Sequence, residues 1–205
     1  MPNSIETVAI LSPGDMGNAV GKMLIDHGLQ VIAALDERSA RTRQLAAQAG
    51  IEDVGTIDRL VQSAQIILSI LVPAQAVVTA AQVATALKQN NRDLLYVDCN
   101  AIAPATVAQI DTLITAAGGC FADAGIIGPP PRNFESTRIY ASGSHAPSFV
   151  QLRDYGLNII DLGGAVGRAS AFKMCYAALT KGSTALQTQL LTAAAAFGIS
   201  AELAA

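Results

Sequence analysis

The arrangement of the first 28 residues restricts the fold of this chain more than any other feature of the sequence. Residues 7–11 form a short apolar run, Ser12-Pro13-Gly14 follows as a turn, and residues 16–27 carry apolar side chains at helical spacing before Gly28. This is the pattern of a strand, a glycine turn and a helix. When such units repeat they favour a parallel sheet, because two successive parallel strands need a crossover connection.

The alternation of strand and helix patterns continues through the first two-thirds of the sequence. Further strands are predicted near residues 31–35, 51–54, 65–71, 93–98, 119–124, 139–142 and 157–162, and helices near 39–49, 75–88 and 104–117. We therefore predict an α/β fold of the Rossmann type, with a doubly wound, mainly parallel sheet and helices on both faces. Three consecutive prolines, residues 129–131, predict a rigid loop before the later strands.

The sheet pattern ends at Gly163-Gly164, and a different pattern follows it. One long helix is predicted over residues 166–196. We assign residues 1–164 to the sheet domain and residues 165–205 to this helix and the beginning of a helical C-terminal domain. Because the remaining residues are too few to cover the apolar face of the helix, we expect that domain to be incomplete and a partner subunit or a further segment to cover the face.

The composition excludes several classes of protein. A chain of 205 residues with 51% hydrophobic and 14% charged residues is not generally disordered, and its net charge of -3 disfavours nucleic acid or an anionic membrane as a partner. Apolar runs such as residues 66–72 are far shorter than the roughly 20 residues of a membrane-spanning helix. Residues 1–6 lack the basic segment of a signal peptide, so we expect a cytoplasmic protein.

Cysteine and histidine are too few and too scattered for the common metal sites. The three cysteines, Cys99, Cys120 and Cys175, include no Cys-x-x-Cys pair, and the chain has two histidines. We therefore predict no metal site and three buried free thiols in a reducing compartment. The chain also lacks the Gly-x-Ser-x-Gly segment of many serine hydrolases.

The turn after the first strand is the most informative segment for function. Glycines in such a turn let the backbone approach a pyrophosphate, and the N-terminus of the following helix offers free N–H groups and a positive dipole end. Here a serine replaces the first of the three expected glycines. We predict that the turn binds the pyrophosphate of a dinucleotide through Ser12, Pro13, Gly14, Asp15, Met16 and Gly17, the alternative being an ordinary strand-to-helix turn.

The end of the second strand carries groups that distinguish NAD from NADP. The carboxylate of Asp36 would accept hydrogen bonds from the adenosine ribose hydroxyls, whereas Arg38 and Ser39 would bind a 2'-phosphate. Arg41 and Arg43 either support that phosphate or form the solvated face of the next helix, with Asp36 or Ser39 as its cap. Because Arg38-Ser39 is the more specific feature, NADP is slightly favoured over NAD as the cofactor.

Three later strand ends reach the same edge of the predicted sheet, since the carboxyl ends of parallel strands meet there. They supply Leu71, Val72 and Pro73 after the fourth strand, Asn100 and Ala101 after the fifth, and Gly125, Ile126, Ile127 and Gly128 after the sixth. We predict that the first of these groups contacts the cofactor. Asn100 is predicted to bind the nicotinamide or the substrate, although an asparagine at this place is also a routine turn residue.

Lys173 is the candidate for acid–base chemistry. It lies on the long helix in a stretch with little other charge, and small residues there permit the close approach of backbone or ligand. A lysine so placed can hold a hydroxyl or carbonyl oxygen and exchange its proton when its surroundings lower its pKa. Tyr176, three residues on, lies on roughly the same helical face and would share that task. The alternative is an ordinary surface lysine.

These motifs together resemble the beta-hydroxyacid dehydrogenase and 6-phosphogluconate dehydrogenase-like NAD(P)-binding superfamily, and in particular its branch with a helical C-terminal domain of uncharacterised function. The resemblance spans nearly the whole chain. The glycine turn of the superfamily is matched by residues 14–17. Its substrate motif Asp-x-Ser-Thr-x-x-Pro falls on residues 98–104, where Asn100 and Ala101 replace the serine and the threonine.

Two further motifs of the superfamily are only partly matched. The segment Asp-Ala-Pro-Val-Ser-Gly-Gly falls on residues 123–129, where Ile127 replaces the serine. The catalytic motif Lys-x-x-Asn-Asn falls on Lys173, with Tyr176 and Ala177 in place of both asparagines. The chain therefore keeps the lysine but lacks the groups that would bind a small hydroxy acid, so the resemblance supports the cofactor and the reaction class better than any standard substrate.

The resemblance implies an NAD(P)-dependent dehydrogenase or reductase that acts on the CH–OH group of a small-molecule substrate, with Lys173 as general acid/base and with Asn100 and Tyr176 assisting it. It implies substrate contacts at Ala101, Gly125, Ile126, Ile127 and Gly128, and a homodimer through the helical C-terminal region. Reduction of an imine is the alternative reaction. A non-catalytic nucleotide-binding or dimerisation module is the alternative of a different class, and a methyltransferase fits the turn and the late lysine poorly.

Overall fold

Eight strands form one sheet in the part of the chain that the structure, a computed structural model, describes: residues 5–204. In chain order they are β1 (Thr7–Ile10), β2 (Gln30–Ala33), β3 (Glu52–Asp53), β4 (Ile66–Ser69), β5 (Leu95–Asp98), β6 (Cys120–Ile127), β7 (Arg138–Ser142) and β8 (Ile159–Asp161). Across the sheet their order is β3-β2-β1-β4-β5-β6-β7-β8. The chain therefore changes direction across the sheet between β3 and β4, which places β1 beside β4.

Strands β1 to β6 are parallel, β7 is antiparallel to β6, and β8 is parallel to β7. The reversal follows from the connection between β6 and β7, because this segment contains three prolines and no helix. A parallel neighbour would need a longer crossover. The predicted Rossmann-type, mainly parallel α/β fold is confirmed.

Helices cover both faces of the sheet. The described helices are α1 (Asp15–Asp26), α2 (Ala40–Ala49), α3 (Ile57–Ser63), α4 (Ala76–Asn90), α5 (Pro104–Thr115), α6 (Ala146–Val150), α7 (Arg168–Ala177), α8 (Ser183–Phe197) and α9 (Ser200–Leu203). One apolar layer joins the sheet to α1, α2 and α6, and a second joins it to α3, α4 and α5. Alternate strand residues enter opposite layers, so that Val8 and Ile10 pack on one side and Ala9 on the other.

Local signals account for several helix ends. The Ser39 side chain accepts the N–H of Thr42 at 3.2 Å and so caps α2, while Thr56 caps α3 in the same way. The first residue of α5 is Pro104, whose missing N–H costs nothing at that position. Gly50 ends α2 in the left-handed conformation at φ 82°. The helix cap at Ser39, which was the alternative to a role in cofactor binding, is therefore present.

A nearly continuous helical segment follows the sheet. It consists of α7, a π-helical turn over Ala178–Gly182, and α8, which ends at Gly198 with φ 68°. Helix α7 packs against β6 and β7. Helix α8 is mostly exposed, and Ala194 is its one buried residue. The single long helix that the sequence predicts is thus present with one π-helical turn inside it, and the division at residue 164 stays a prediction.

Three sequence predictions concern the surface of the chain. Cys99 is buried and Cys120 half-buried, but Cys175 is exposed, so the prediction of three buried thiols was wrong for Cys175, which lies on the side of α7 away from the sheet. The predicted absence of a signal peptide concerns residues 1–6, and residues 1–4 lie outside the described residues. Over residues 5–204 no helix combines the length and the apolar character needed to cross a membrane.

Candidate cofactor and catalytic site

The turn between β1 and α1 combines one tightly packed glycine with one open glycine. A Cβ on Gly17 would collide with the backbone oxygen of Ser12, so α1 can pack this closely on the strand end only with glycine there. A Cβ on Gly14 would meet nothing within 4 Å. Gly14 is the N-cap of α1 and has no side chain to accept the first N–H groups of the helix, which leaves them available to an anion beside it.

The end of β2 lies beside a cavity of about 360 Å³ at the same edge of the sheet. Its lining includes Asp36, Arg38, Gly55, Thr56 and Gln75. The backbone of Asp36 is held by a 3.2 Å hydrogen bond to the oxygen of Gly55. Two acidic side chains, Asp36 and Glu37, and the basic side chain of Arg38 thus share one cavity at the sheet edge that carries the glycine turn. Acidic and basic groups at the end of β2 are expected around the ribose of an adenine nucleotide.

The basic residues of this region differ in what they contact. The guanidinium of Arg38 donates to the backbone oxygen of Leu11 at 3.2 Å, which fixes the side chain between the ends of β1 and β2. Arg41 forms an exposed ion pair with Asp15, and Arg43 lies 3.6 Å from Asp53. Arg38 is therefore the arginine that lines the cavity, while Arg41 and Arg43 have carboxylate partners on the surface.

Asn100 fastens the loop after β4 to the end of β5. Its side-chain oxygen accepts the N–H of Leu71 at 2.6 Å, and its amide nitrogen donates to Ser69 at 3.0 Å and to Asp98 at 2.9 Å. The residue is buried, so its amide hydrogens are directed into the protein. Next to it, Val72 is exposed and Pro73 begins a 3₁₀ turn, so the loop that Asn100 holds presents apolar side chains at the edge of the sheet.

Four polar residues lie in register across four neighbouring strands at this edge. Ser69 pairs with Asp98, Asp98 with Asp123, and Asp123 with Ser142. All four are buried. Burial, together with a smaller contribution from the neighbouring Asp123, raises the pKa of Asp98 to about 6, although hydrogen bonds from Asn100 oppose the shift. Asn100, in the loop after β5, donates hydrogen bonds to Asp98, and Ser170 in the first turn of α7 donates to Asp123. The two buried carboxylates are therefore satisfied.

Lys173 reaches the carboxyl end of β6 from α7. Its Nζ donates to the backbone oxygen of Ile126, and the side chain is half-buried. Burial lowers the pKa of the Lys173 amine, Lys181 lowers it further, and Cys99 raises it. A half-buried amine fixed on a backbone oxygen is not the freely solvated surface lysine that was the alternative.

The other predicted contact residues occupy different environments. Ala101 is exposed, Ile127 is half-buried, and Gly128 is exposed at φ 126°, a conformation that favours glycine. Gly125 is buried, because α7 lies directly over it. Tyr176 is partly exposed, and its ring centre lies 6.5 Å from that of Phe172, in a row that Tyr140 completes.

One buried carboxylate at this edge was not singled out as a site residue in the sequence. Asp123 accepts hydrogen bonds from the N-terminal turn of α7, which carries Lys173. The superfamily motif on residues 123–129 begins at Asp123, but it does not reveal the hydrogen bonds of this carboxylate, because their donors come from segments about 20 to 50 residues away.

Several known proteins are similar to this chain in sequence and fold. Residues 7–155 match the family described as the NAD binding domain of 6-phosphogluconate dehydrogenase. An uncharacterized 28.5 kDa protein in the 7S RNA 5' region of Methanothermus fervidus is 26% identical over 196 residues, which cover 96% of this chain and 74% of that protein. The conserved protein MTH1747, of unknown function, is 32% identical with a TM-score of 0.80, over 96% of this chain and 73% of its own, and its structure is similar to those of 3-hydroxyacid dehydrogenases.

More distant structures share the fold. The imine reductase from Myxococcus stipitatus in complex with NADP+ is 22% identical with a TM-score of 0.77, over 96% of this chain and 68% of its own. The 3-hydroxyisobutyrate dehydrogenase of Mycobacterium tuberculosis, solved with L-serine, is 20% identical with a TM-score of 0.78, over 97% and 68%. This chain belongs to the 6-phosphogluconate dehydrogenase family of NAD(P)-binding dehydrogenases and reductases.

Proposed function

We propose that this protein transfers hydride between NAD(P) and a hydroxyl or carbonyl group of a small molecule, with Lys173 as general acid/base. The observation that carries the proposal is the half-buried Lys173 amine, fixed on the Ile126 oxygen at the sheet edge that also carries the glycine turn. Family membership supports the cofactor, and the position of Lys173 supports the chemistry.

The residues at the edge of the sheet fit a dinucleotide. The open space beside Gly14 and the uncapped first turn of α1 suit a pyrophosphate, and the cavity with Asp36 and Arg38 suits the adenosine ribose. The loop of Leu71, Val72 and Pro73 would pack against the cofactor. When bound, the nicotinamide supplies or accepts the hydride.

NADP is the cofactor that Arg38 favours. Its guanidinium lines the cavity, and its hydrogen bond to Leu11 fixes its position before any ligand arrives. An arginine held in this way can pair with a 2'-phosphate at little cost in side-chain entropy. Ser39 uses its hydroxyl to cap α2, and Asp36 in the same cavity keeps NAD as the competing choice.

Lys173 has the properties of an acid/base that works in both directions. In oxidation the neutral amine would take the proton of the substrate hydroxyl, and in reduction the ammonium would return a proton to the carbonyl oxygen. The lowered pKa increases the neutral fraction of the amine near neutral pH. Because an ammonium has three N–H donors, Lys173 can keep its hydrogen bond to Ile126 while a second hydrogen binds the substrate oxygen.

The substrate would lie between Lys173 and the ends of β5 and β6. Among the predicted substrate contacts, Ala101, Ile127 and Gly128 are accessible there, and none of them offers a side-chain hydroxyl to a carboxylate. We therefore infer an oxygen- or nitrogen-containing substrate with an apolar body. In this arrangement Asn100 acts through the loop that it fastens, and Tyr176 borders the site on α7.

Imine reduction is the second candidate reaction. The absence of hydroxyl side chains at Asn100 and Ala101 favours it, because a neutral imine needs no carboxylate-binding group. The chain also shares its fold with an imine reductase, so the fold is compatible with this reaction. Here the Lys173 ammonium would hold the proton beside the imine nitrogen.

The test of the proposed function is a turnover assay with matched variants. The absorbance of the reduced nicotinamide is followed with 3-hydroxyisobutyrate and NADP+, with cyclohexanone and NADPH, and with cyclohexanone plus allylamine and NADPH. Turnover of any of these three mixtures by the wild type, and its loss in Lys173→Met, supports the assignment. Turnover of the third mixture alone would indicate imine reduction. Full turnover in Lys173→Met would refute the role of Lys173, and tight cofactor binding without any turnover would favour a non-catalytic nucleotide-binding module.

We further propose that a second copy of the chain covers α8, as a homodimer through the helical C-terminal region. Leu186, Leu190 and Leu191 are exposed on this helix, more apolar surface than a free helix normally presents. The double variant Leu186→Glu/Leu190→Glu should shift the mass measured by light scattering from dimer to monomer, with Gln187→Glu as a control. A monomeric wild-type chain would refute the dimer.

A further inference from the structure

Asp123 is a buried carboxylate at which two strands and a helix meet. It lies in the middle of β6, in register with the last residues of β5 and β7, and has no exposed surface. Its oxygen atoms accept four hydrogen bonds: from the N–H groups of Gly167 and Ser170 at 3.0 Å each, from the Ser170 hydroxyl at 2.6 Å, and from the Ser142 hydroxyl at 3.1 Å. Three of the four donors therefore belong to the beginning of α7.

These hydrogen bonds replace the cap that α7 lacks. Its N-cap residue is Gly167, which has no side chain to accept the first N–H groups of the helix. Asp123 accepts the N–H of Ser170, and Ser142 accepts the N–H of Ala169 at 3.0 Å. A carboxylate at the positive end of a helix is also favoured by the helix dipole. The first turn of α7 is thus capped by the sheet.

A second contact from the same strand fixes the height of α7 above the sheet. Gly125 lies two residues after Asp123, so both face the same side of β6. A Cβ on Gly125 would stand 3.0 Å from the oxygen of Ala169 and 3.1 Å from the Cβ of Lys173. The backbone of α7 therefore packs directly against Gly125, and Lys173 is one of the residues in contact.

The position of Lys173 follows from these two contacts. It lies three residues after Ser170, less than one turn of helix, and its Nζ donates to the oxygen of Ile126. Three nearby positions of one strand, Asp123, Gly125 and Ile126, thus contact the first two turns of α7. A displacement of a reacting group by about 1 Å can cost about a hundredfold in rate.

We propose that Asp123 is a positioning residue for Lys173: its carboxylate anchors the first turn of α7 so that the lysine amine is held at the carboxyl edge of the sheet. This inference rests on the proposed function, since it gives the anchored lysine its purpose. Asp123 acts on Lys173 through its hydrogen bonds to Gly167 and Ser170 and through the helix that follows them.

The experiment compares Asp123→Asn, Ser170→Ala and Ser170→Thr in the full chain. Asp161→Asn is the control, because this exposed aspartate at the end of β8 also accepts one backbone N–H, that of Gly163. Three quantities are measured: amide hydrogen exchange at Gly167 and Ser170, the pH dependence of Lys173 acetylation by trace acetic anhydride, and NADPH binding. The exposed Lys88 serves as the internal reference for acetylation.

In Asp123→Asn and Ser170→Ala we expect exchange at Gly167 and Ser170 to rise by about tenfold or more, since the local hydrogen bonds are weakened. The acetylation midpoint of Lys173 should move to higher pH, because the amine leaves its half-buried position, and NADPH affinity should change little. Ser170→Thr, which keeps the hydroxyl, should restore both readouts. Asp161→Asn should change neither.

Two outcomes would overturn the proposal. One is a lower melting temperature with an unchanged Lys173 midpoint, which would make Asp123 merely structural. The other is an unchanged exchange rate at Ser170. If Asp123→Asn does not fold, Ser170→Ala and Gly125→Ala decide the question, the latter by lifting α7 through the added Cβ. Exchange and acetylation need no substrate, so a failure of the proposed function would appear separately, as absent NAD(P) binding or turnover.

Discussion

Asp98 and Asp123 are register partners on the neighbouring strands β5 and β6, and both are completely buried. Their hydrogen bonds join the sheet to two different segments of the chain. Asp98 accepts from Asn100, which holds the loop after β4, while Asp123 accepts from the first turn of α7. Burial raises the pKa of Asp98, and the neighbouring carboxylate of Asp123 adds a smaller increase.

The first prediction concerns stability against pH. The pKa of Asp98 is about 6 in the folded chain against an ordinary 3.8, so the folded state binds this proton more tightly than the unfolded state. The stability that Asp98 contributes is present below about pH 4 and is lost as the pH rises to about 6, in total about 3 kcal/mol. Urea unfolding of wild type and Asp98→Asn across this window measures it. The variant should lack this loss, and an identical pH slope in both proteins would contradict the prediction.

The second prediction separates stability from cofactor binding at the glycine turn. In Gly17→Ala the new Cβ collides with the Ser12 oxygen, so we expect a loss of stability of about 2 kcal/mol or more together with weaker cofactor binding. In Gly14→Ala the Cβ meets nothing within 4 Å and φ is -71°, so the fold should tolerate it. That Cβ would nevertheless intrude on the space for the pyrophosphate.

Thermal unfolding and NADPH titration of both variants check this contrast. Gly14→Ala should melt within a few degrees of wild type yet bind NADPH about tenfold or more weakly, roughly 1.4 kcal/mol. Wild-type affinity in Gly14→Ala would show that the pyrophosphate does not lie beside this residue.

The third prediction concerns the loop that Asn100 fastens. Asn100→Ala removes the acceptor of the Leu71 N–H and the donor to Ser69, so the unfolding free energy should fall by about 1–3 kcal/mol. Cofactor affinity should fall too, because Val72 and Pro73 lose their fixed position. Asn133→Ala, in an exposed turn, is the control. Unchanged cofactor affinity in Asn100→Ala would place the cofactor away from this loop.

The fourth prediction concerns Lys173 itself. Lys173→Met should lower kcat by about a hundredfold to ten-thousandfold without changing the Kd of the cofactor, since it removes the proton donor and acceptor alone. Lys88→Met is the matched control on the surface of α4. In the oxidative direction kcat/KM should rise with pH through the lowered pKa of Lys173, because the neutral amine is the base. A profile that stays flat where the amine titrates would contradict this role.

The elements of the fold could be predicted because their signals are local. The apolar run ending at Leu11, the glycine turn and the cap at Ser39 each depend on a few adjacent residues. Placing Lys173 on a helix after the sheet needed only the helical pattern. Helix and strand periodicities also determine which side chains enter the two apolar layers.

The interior of the site could not be predicted in the same way, because its contacts join distant segments. Asn100 has the same appearance in the sequence whether its amide binds a ligand or the N–H of Leu71, 29 residues away. The hydrogen bond from Ser170 to Asp123 spans 47 residues. The antiparallel placement of β7 and the exposure of Cys175 likewise depend on how the chain packs after Gly128 rather than on local patterns.

The fifth prediction concerns the choice between NADP and NAD. Arg38→Ala removes the guanidinium from the cavity and should abolish any preference for NADPH, whereas Asp36→Ala should increase it by removing a negative charge beside the 2'-phosphate. Both variants leave the glycine turn intact. A preference for NADPH that survives in Arg38→Ala would assign the 2'-phosphate to another group.

The most direct test of the central claim is the titration of the purified chain with NADPH and NADH, following the fluorescence of the reduced nicotinamide together with the melting temperature. We expect saturable binding of both cofactors, with a higher melting temperature at saturation and a lower Kd for NADPH. No saturable binding of either cofactor, in a chain that melts cooperatively, would contradict the dinucleotide site on which the proposed function rests.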